Sequence, residues 1–213
     1  IRHSVERWAE KIGLHFIVNT ILDRHSNIYR VVAGDYIKAH RKGIEYAKEV
    51  YCVPIPEKVN IVIADSHPSD CDFWQGTKGF NPTDVIIKDG GSGILISPFY
   101  EGVGPHREYP AMVGLGNVSD ILSEICEKGA QSHPDLDPLA VAVGALIGRM
   151  RQRFDMYIYS DGVDDALLAE AKMHRSSDLQ KTIDMLCSKY GESASIAILH
   201  FGAEIVPELE NES

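Results

Sequence analysis

The chain has 213 residues, a length that fits one α/β domain, and its 44% hydrophobic and 24% charged residues are typical of a soluble globular protein. The formal net charge is −10 and the basic residues are dispersed singly, so we expect no nucleic-acid binding. No apolar stretch approaches the roughly 18 residues of a membrane span, and the four scattered cysteines form no metal or disulfide pattern, so a cytoplasmic protein is predicted.

The first residues predict a helix followed by a β-hairpin. Ser4–Ile12 has apolar side chains at helical spacing, with Ser4 available as a cap and Gly13 as a stop. Leu14–Leu22 and Ile28–Val32 have the β-branched content of strands, with a polar turn between them. Because the helical pattern is already under way at the first residues and the chain does not begin with Met, we expect it to come from a longer protein.

Beyond the hairpin, strands alternate with helices. Asp35 is expected to cap a long helix that ends before Pro54. The predicted strands are Val59–Ala64, Ile94–Ser97, Met156–Ser160 and Ser195–Leu199. The predicted helices are Trp74–Phe80, a second after Pro82, one near Val118–Lys128, one near Leu139–Met150, and Ser177–Tyr190. The acidic end, Glu208–Ser213, is expected to be frayed. This order predicts an α/β fold with an open, mostly parallel sheet flanked by helices, preceded by the amino-terminal helix and hairpin.

The loop after Ala64 is the first place to expect chemistry, because ligands of open α/β sheets bind beyond the carboxyl ends of the strands. Gln75 and Lys78 are three residues apart, so on a helix they share a face and can reach one ligand together. Lys78 would bind a carboxylate, and Gln75 offers a donor and an acceptor. The alternative is that Asp70 or Asp72 caps the helix and both side chains are merely solvated.

Other polar clusters have structural explanations. His67, Asp70, Cys71 and Asp72 are nearly contiguous in one loop, and such residues rarely surround a metal ion by themselves, so no metal site is predicted. Lys88–Gly93 precedes a strand and not a helix, which favours a turn over a phosphate loop. Gly114–Asp120 lacks the third glycine of a dinucleotide fingerprint, which favours a capped helix entry. Glu101–Arg107 follows the Ile94–Ser97 strand, at the same sheet end as Gln75.

Several motifs in register resemble the carboxyl-terminal domain of the lactate racemase family, and they extend over nearly the whole chain. They are Asn19, Val32–Asp35, Ala39–Gly43, Phe73–Gly79, Asp89–Gly91, Glu101–Gly104 and Tyr159–Gly162. The resemblance implies a two-domain racemase of small 2-hydroxy acids that uses a nickel-pincer nucleotide at a site between the domains. The catalytic histidine pair, the lysine that bears the cofactor and the nickel-ligand histidine belong to an amino-terminal domain that is absent from this chain.

The resemblance also assigns site residues. A glutamine and a lysine three residues later transfer onto Gln75 and Lys78, which are expected to face substrate and cofactor. His67, Asp72, Trp74 and Glu101 are candidates for lining the same cleft. No catalytic residue is identified, so this chain alone is expected to be inactive and to bind no cofactor.

Two other functions fit the residues. The chain could be a non-catalytic binding or interaction domain, which an apolar patch around Phe73 and Trp74 would favour. A nucleotide-binding module is the third hypothesis, and the incomplete glycine fingerprint counts against it.

Overall fold

The computed structural model describes residues 2–210, and the chain divides into two compact units. Unit 1 ends at Val53 and unit 2 begins at Pro54. The helices of the described part are α1 (Arg2–Lys11), α2 (Tyr36–Tyr51), α3 (Phe73–Gly76), α4 (Phe80–Ile86), α5 (Tyr109–Gly114), α6 (Val118–Lys128), α7 (Pro138–Arg151), α8 (Asp165–Ala171) and α9 (Leu179–Tyr190). The strands are β1 (Ile17–Leu22), β2 (Ile28–Gly34), β3 (Cys52–Ile55), β4 (Val59–Asp65), β5 (Ile87–Ile96), β6 (Asp155–Tyr159), β7 (His174–Arg175), β8 (Ile196–Leu199) and β9 (Val206–Leu209).

Unit 1 contains the predicted helix, hairpin and Asp-capped helix, and all three are confirmed. Strands β1 and β2 pair antiparallel, and one face of this hairpin packs on α2 through Ile21, Val32 and Ala39. Helix α2 begins where expected because the Asp35 carboxylate accepts a hydrogen bond from the Lys38 amide at 2.9 Å. Helix α1 starts before Ser4, so this serine is not its cap.

Unit 2 is built on a five-stranded parallel sheet in the order β7-β6-β5-β4-β8. Strand β4, between β5 and β8, is buried on both faces, as its continuous apolar sequence predicts. Alternate residues enter different cores: Ile61 and Ile63 pack with Leu186 of α9, whereas Val62 and Ala64 belong to the larger core under α4, α5 and α7. The predicted α/β class and parallel sheet are therefore confirmed.

The structure differs from the sequence predictions in its short elements. Lys88–Gly93 is not a turn before a strand but part of β5, where a register irregularity against β4 and a positive φ at Gly90 absorb the extra residues. Helices α5 and α8 and the short strands β3, β7 and β9 were not predicted. Glu208 lies in β9 and not in a frayed tail, while residues 211–213 of the predicted tail are outside the described residues.

The carboxyl ends of the parallel strands meet at one edge of the sheet, and there Asp65 ties β4 to the segment after β8. Its carboxylate accepts hydrogen bonds from the amides of Phe201 and Gly202 at 3.2 and 3.3 Å. None of the described helices has the length and apolarity needed to cross a membrane.

Candidate functional site

Two loops at the carboxyl edge of the sheet are joined into one platform. The loop after β4 covers residues 66–72, and the loop after β5 covers residues 97–104. Two backbone hydrogen bonds connect the loops, from Phe99 to Asp70 at 3.2 Å and from Glu101 to Cys71 at 2.8 Å. A third joins Phe73, the first residue of α3, to Gly102 at 2.8 Å. Beneath them the hydroxyls of Ser66 and Ser97, both buried, lie 2.6 Å apart. The platform therefore holds the start of α3 in a fixed position.

Asp72 is the cap of α3. Only 4% of its surface is exposed, and its Oδ1 accepts a hydrogen bond from the Gln75 amide at 2.6 Å. Gly104 lies against this carboxylate, since a Cβ there would be 2.8 Å from the Asp72 Cγ. Of the two aspartates considered as caps, the structure selects Asp72 and places it under the loop, where its carboxylate holds the helix turn that carries Gln75.

Gln75 and Lys78 contact each other as their spacing predicts. Lys78 Nζ donates to Gln75 Oε1 at 2.5 Å, with Gln75 half-buried and Lys78 exposed. The ammonium group has three donors and this bond uses one of them, while the amide nitrogen of Gln75 adds further donors. The pair therefore offers hydrogen-bond donors and a positive charge to an anion at the carboxyl edge of the sheet.

Trp74 forms an aromatic wall next to this pair. Its ring centroid is 4.0 Å from that of His106 and 4.9 Å from that of Tyr109, the latter in an edge-on arrangement. Tyr109 is fully buried, and burial raises the pKa of this phenol, so it remains neutral. Its hydroxyl lies 2.7 Å from Thr77 Oγ1.

A small cavity of about 70 Å³ lies between this wall and α7, lined by Trp74, Thr77, Lys78, Asn81, Val143, Leu146 and Ile147. Pockets that bind small molecules have volumes of about 300 to 1,000 Å³. The cavity is thus too small to be a substrate site by itself.

His106 is anchored from behind by Asp137. The imidazole Nδ1 hydrogen-bonds Asp137 Oδ2, and this bond lowers the pKa of the Asp137 carboxyl against the opposing effect of burial. Asp137 also caps α7 by accepting from the Leu139 amide at 2.9 Å. Sequence reasoning placed 101–107 at this sheet end but did not identify the contacts of His106 or Tyr109 with Trp74, because the partners are about thirty residues apart.

His67 and Glu101 are both exposed. The Nδ1 atom of His67 is 3.3 Å from Asp70 Oδ2, and its ring meets Phe201 edge-on at 5.2 Å. Within residues 2–210, the polar and ring contacts of the His67 imidazole are therefore with Asp70 and Phe201 and not with Gln75 or Lys78.

Glu101 belongs to a different cluster. Within residues 2–210, the one group of potential metal ligands is Cys71, Asp72 and Glu101, whose ligand atoms lie within 4.8 Å of one another. Burial, followed by the charge of Asp72, raises the pKa of the Cys71 thiol, which disfavours the thiolate that a metal requires. Asp72 is already used as a helix cap. This cluster is therefore poorly suited to a metal.

The fold and this edge define an α/β domain in which a glutamine and a lysine contact each other just after a strand-to-helix loop. Residues 54–206 match the family model of the lactate racemase C-terminal domain, and the chain belongs to that family.

Two curated proteins, both called lactate racemase, are similar to the chain. The protein from Lactiplantibacillus plantarum is 25% identical and the one from Thermoanaerobacterium thermosaccharolyticum is 24% identical, each over 200 residues. Each match covers 93% of this chain and 46% of the relative, so the chain spans about half the length of the curated relatives it matches.

Two solved structures have the same fold. The lactate racemase apoprotein from T. thermosaccharolyticum superposes with a TM-score of 0.79 at 23% identity, covering 94% of this chain and 47% of that one. A protein from Thermotoga maritima has a TM-score of 0.58 at 15% identity, covering 98% and 52%.

Proposed function

We propose that this chain is the carboxyl-terminal domain of a two-domain racemase of small 2-hydroxy acids, and that Gln75 and Lys78 hold the substrate's carboxylate. The observation that carries the proposal is the hydrogen bond from Lys78 to Gln75 at the carboxyl edge of the sheet, in a chain of the lactate racemase C-terminal domain family. The amino-terminal half of the parent protein would supply the remaining catalytic groups.

The chemistry of the substrate fits these side chains. A 2-hydroxy acid is a carboxylate anion at neutral pH, and a charge-assisted hydrogen bond from an ammonium group stabilises it by about 1.5 to 3 kcal/mol. Gln75 Oε1 holds the ammonium group of Lys78 in place, which lowers the entropic cost of fixing a flexible lysine on the substrate. Both enantiomers share the carboxylate, so one anchor serves both directions of racemisation.

Trp74 has a separate role in the proposal. Its half-buried ring, fixed by His106 and Tyr109, would exclude water from one side of the bound acid. His67, Asp72 and Glu101 remain candidates for the cleft, with Asp72 acting through the helix turn that it caps.

The cofactor that the family resemblance implies is a nickel-pincer nucleotide. When bound, such a cofactor supplies hydride acceptance from the hydroxylated carbon and hydride return. Lys78 and Gln75 fit the anionic parts of this cofactor because both are hydrogen-bond donors. The protonated Cys71 thiol and the Asp72 carboxylate, which already caps α3, do not fit its metal. The family resemblance implies that the nickel ligand and the attachment lysine belong to the amino-terminal half.

The proposed location is the cytoplasm, where thiols remain reduced. Its support is that Cys71, Cys126 and Cys187 form no disulfide in the described part of the chain.

The test is the interconversion of enantiomers by the full-length protein loaded with cofactor, followed by chiral chromatography of D- and L-lactate and of other short 2-hydroxy acids. We expect each enantiomer to yield the racemate and the 213-residue chain alone to yield none. If the loaded full-length protein interconverts none of these acids, the racemase proposal is wrong.

The described part of the chain lacks the feature that would favour the alternative of a non-catalytic interaction domain. That hypothesis needed an apolar patch at Phe73 and Trp74, but Phe73 is fully buried and Trp74 is half-buried against His106 and Tyr109.

A further inference from the structure

The hairpin of unit 1 has one covered face and one open face. Partners in an antiparallel pair lie on the same side, and successive residues alternate between sides. Ile21 and Val32 point to α2 and are buried. Val18 and Val31 lie on the opposite side, in register with Ala33 and Thr20, and are 63% and 55% exposed. The outer face of the hairpin, defined by Val18, Thr20, Leu22, Val31 and Ala33, therefore carries no charged residue.

An uncharged, mainly apolar face is unusual for a sheet surface that is exposed to water. A sheet with one side in water alternates apolar and polar residues, whereas strands buried on both sides are apolar on both. The outer face of the hairpin is apolar except for Thr20, so it does not have the polar side chains of a face in water. In addition, β1 and β2 pair only with each other among the described residues, so each strand also has an open edge. A two-stranded sheet is marginally stable unless further structure supports it.

A second apolar feature belongs to the same unit. A groove of about 560 Å³ runs along α1 and α2, and its apolar lining is Val5, Ala9, Leu14, Ile17 and Ile44. Trp8 and Ile12 on and just after α1 are also exposed. Unit 1 thus exposes apolar side chains on both the hairpin and α1, which indicates that a macromolecular surface covers it.

The similarity to the lactate racemases indicates which polypeptide covers unit 1. The family match begins at residue 54, so unit 1 lies outside the C-terminal domain model. Yet the curated relatives align with 93% of this chain, which includes most of unit 1, and more than half of their own length lies outside the match. A polypeptide of that length in the same molecule is present at a high effective concentration, which favours it over a second copy as the occupant.

We propose that the amino-terminal half of the full-length protein docks on the outer face of the hairpin, so that unit 1 provides the interface with that half. The inference rests on the proposed function only in assuming a two-domain parent; it needs neither cofactor nor racemase activity. The occupant's contact surface is apolar, because the outer face offers no charge to pair.

Amide hydrogen exchange tests the proposal directly in the wild-type proteins. Exchange of residues 17–34 is measured in the 213-residue chain and in the full-length protein, both without cofactor or substrate. We expect exchange in the hairpin to be at least about 10-fold slower in the full-length protein. Equal exchange in the two proteins would overturn the proposal.

A pair of variants tests the face itself. Val18→Lys places a charge on the outer face, and Ile198→Lys is its matched control, since Ile198 is also a β-branched strand residue with 63% exposure but lies in unit 2. In the 213-residue chain we expect both variants to unfold at the wild-type temperature. In the full-length protein we expect Val18→Lys to lower Tm by roughly 3 °C or more and Ile198→Lys to leave it unchanged.

The outcomes distinguish the occupants. If Val18→Lys leaves the Tm of the full-length protein unchanged, or if the two variants lower it equally, the amino-terminal half does not dock on the outer face. If light scattering shows that the full-length protein self-associates and that Val18→Lys makes it monomeric without altering hairpin exchange in the monomer, a second copy is the occupant and the proposal is wrong. If amide exchange in the hairpin is slowed in the full-length protein but the loaded protein racemises no acid, the proposed function is wrong and the docking proposal still holds.

Discussion

The two units of the chain differ in how fully they bury their apolar residues. In unit 2, β4 is covered on both faces and Ile61 and Val62 are inaccessible. In unit 1, one face of a hairpin is covered and the other is open. Nine of the eighteen large hydrophobic side chains exposed among the described residues fall in unit 1, which holds only 53 of the 213 residues. The difference is that unit 1 leaves a larger share of its apolar side chains uncovered than unit 2 does.

The largest expected effect comes from the core of unit 2. Ile158 of β6 is fully buried, and Ile158→Ala should lower the free energy of unfolding by about 2 to 5 kcal/mol through lost burial and a cavity. Val18→Ala in unit 1 should change it by less than about 0.5 kcal/mol, because the side chain is already in water. Urea unfolding of the 213-residue chain measures both. Equal losses would remove the contrast between the units.

A close helix contact gives the next effect. A Cβ on Gly114 of α5 would lie 1.9 Å from the Glu170 carbonyl oxygen of α8, whereas one on Gly116 would meet nothing within 4 Å. We expect Gly114→Ala to cost about 1 to 3 kcal/mol and Gly116→Ala to cost almost nothing. Thermal unfolding followed by circular dichroism compares them, and a tolerated Gly114→Ala would contradict the tight packing of unit 2.

Helix caps in the two units provide a smaller contrast. Asp72 and Asp35 both cap helices, but Asp72 is buried and Asp35 is exposed. Asp72→Ala should cost about 1 to 2 kcal/mol because the Gln75 amide loses its partner away from water. Asp35→Ala should cost roughly 0.5 to 1 kcal/mol because water replaces the carboxylate. Urea unfolding ranks the two, and the reverse order would show that the platform does not depend on Asp72.

The smallest effect is in the pH dependence of stability. The hydrogen bond from His106 lowers the folded-state pKa of Asp137 below its unfolded value of about 3.9. The stabilisation is therefore present above that value and is lost as pH falls through the folded pKa. Asp137→Asn should reduce the amount by which the free energy of unfolding falls at acid pH. Asp120→Asn on α6 is an exposed control. An unchanged fall in Asp137→Asn would mean that this pair does not stabilise the fold.

The sequence predicts the long elements well because their signals are local. Helix α6 has the predicted bounds, Val118–Lys128, and β4 differs from its prediction by one residue. The short helix α5 was missed because it has only six residues and contains Pro110. Strand β5 was misread at its start because its glycines resemble a turn, and only pairing with β4 shows otherwise.

The site divides in the same way. The shared face of Gln75 and Lys78 follows from their spacing, and the contact is present. The wall of Trp74, His106 and Tyr109 depends on tertiary packing, for which a single sequence has no local signal. Histidine and tyrosine in the polar passage after β5 were the only indication of it.

The most direct test of the account is the kinetics of Lys78→Ala in the full-length, cofactor-loaded protein. Lys88→Ala is the control, since Lys88 is also exposed but lies at the start of β5, away from the carboxyl edge. We expect Lys78→Ala to lower kcat/KM for lactate by about 10- to 150-fold, the equivalent of one charge-assisted hydrogen bond, and Lys88→Ala to leave it unchanged. If Lys78→Ala keeps wild-type kcat/KM, Lys78 does not hold the substrate and the proposed site is wrong.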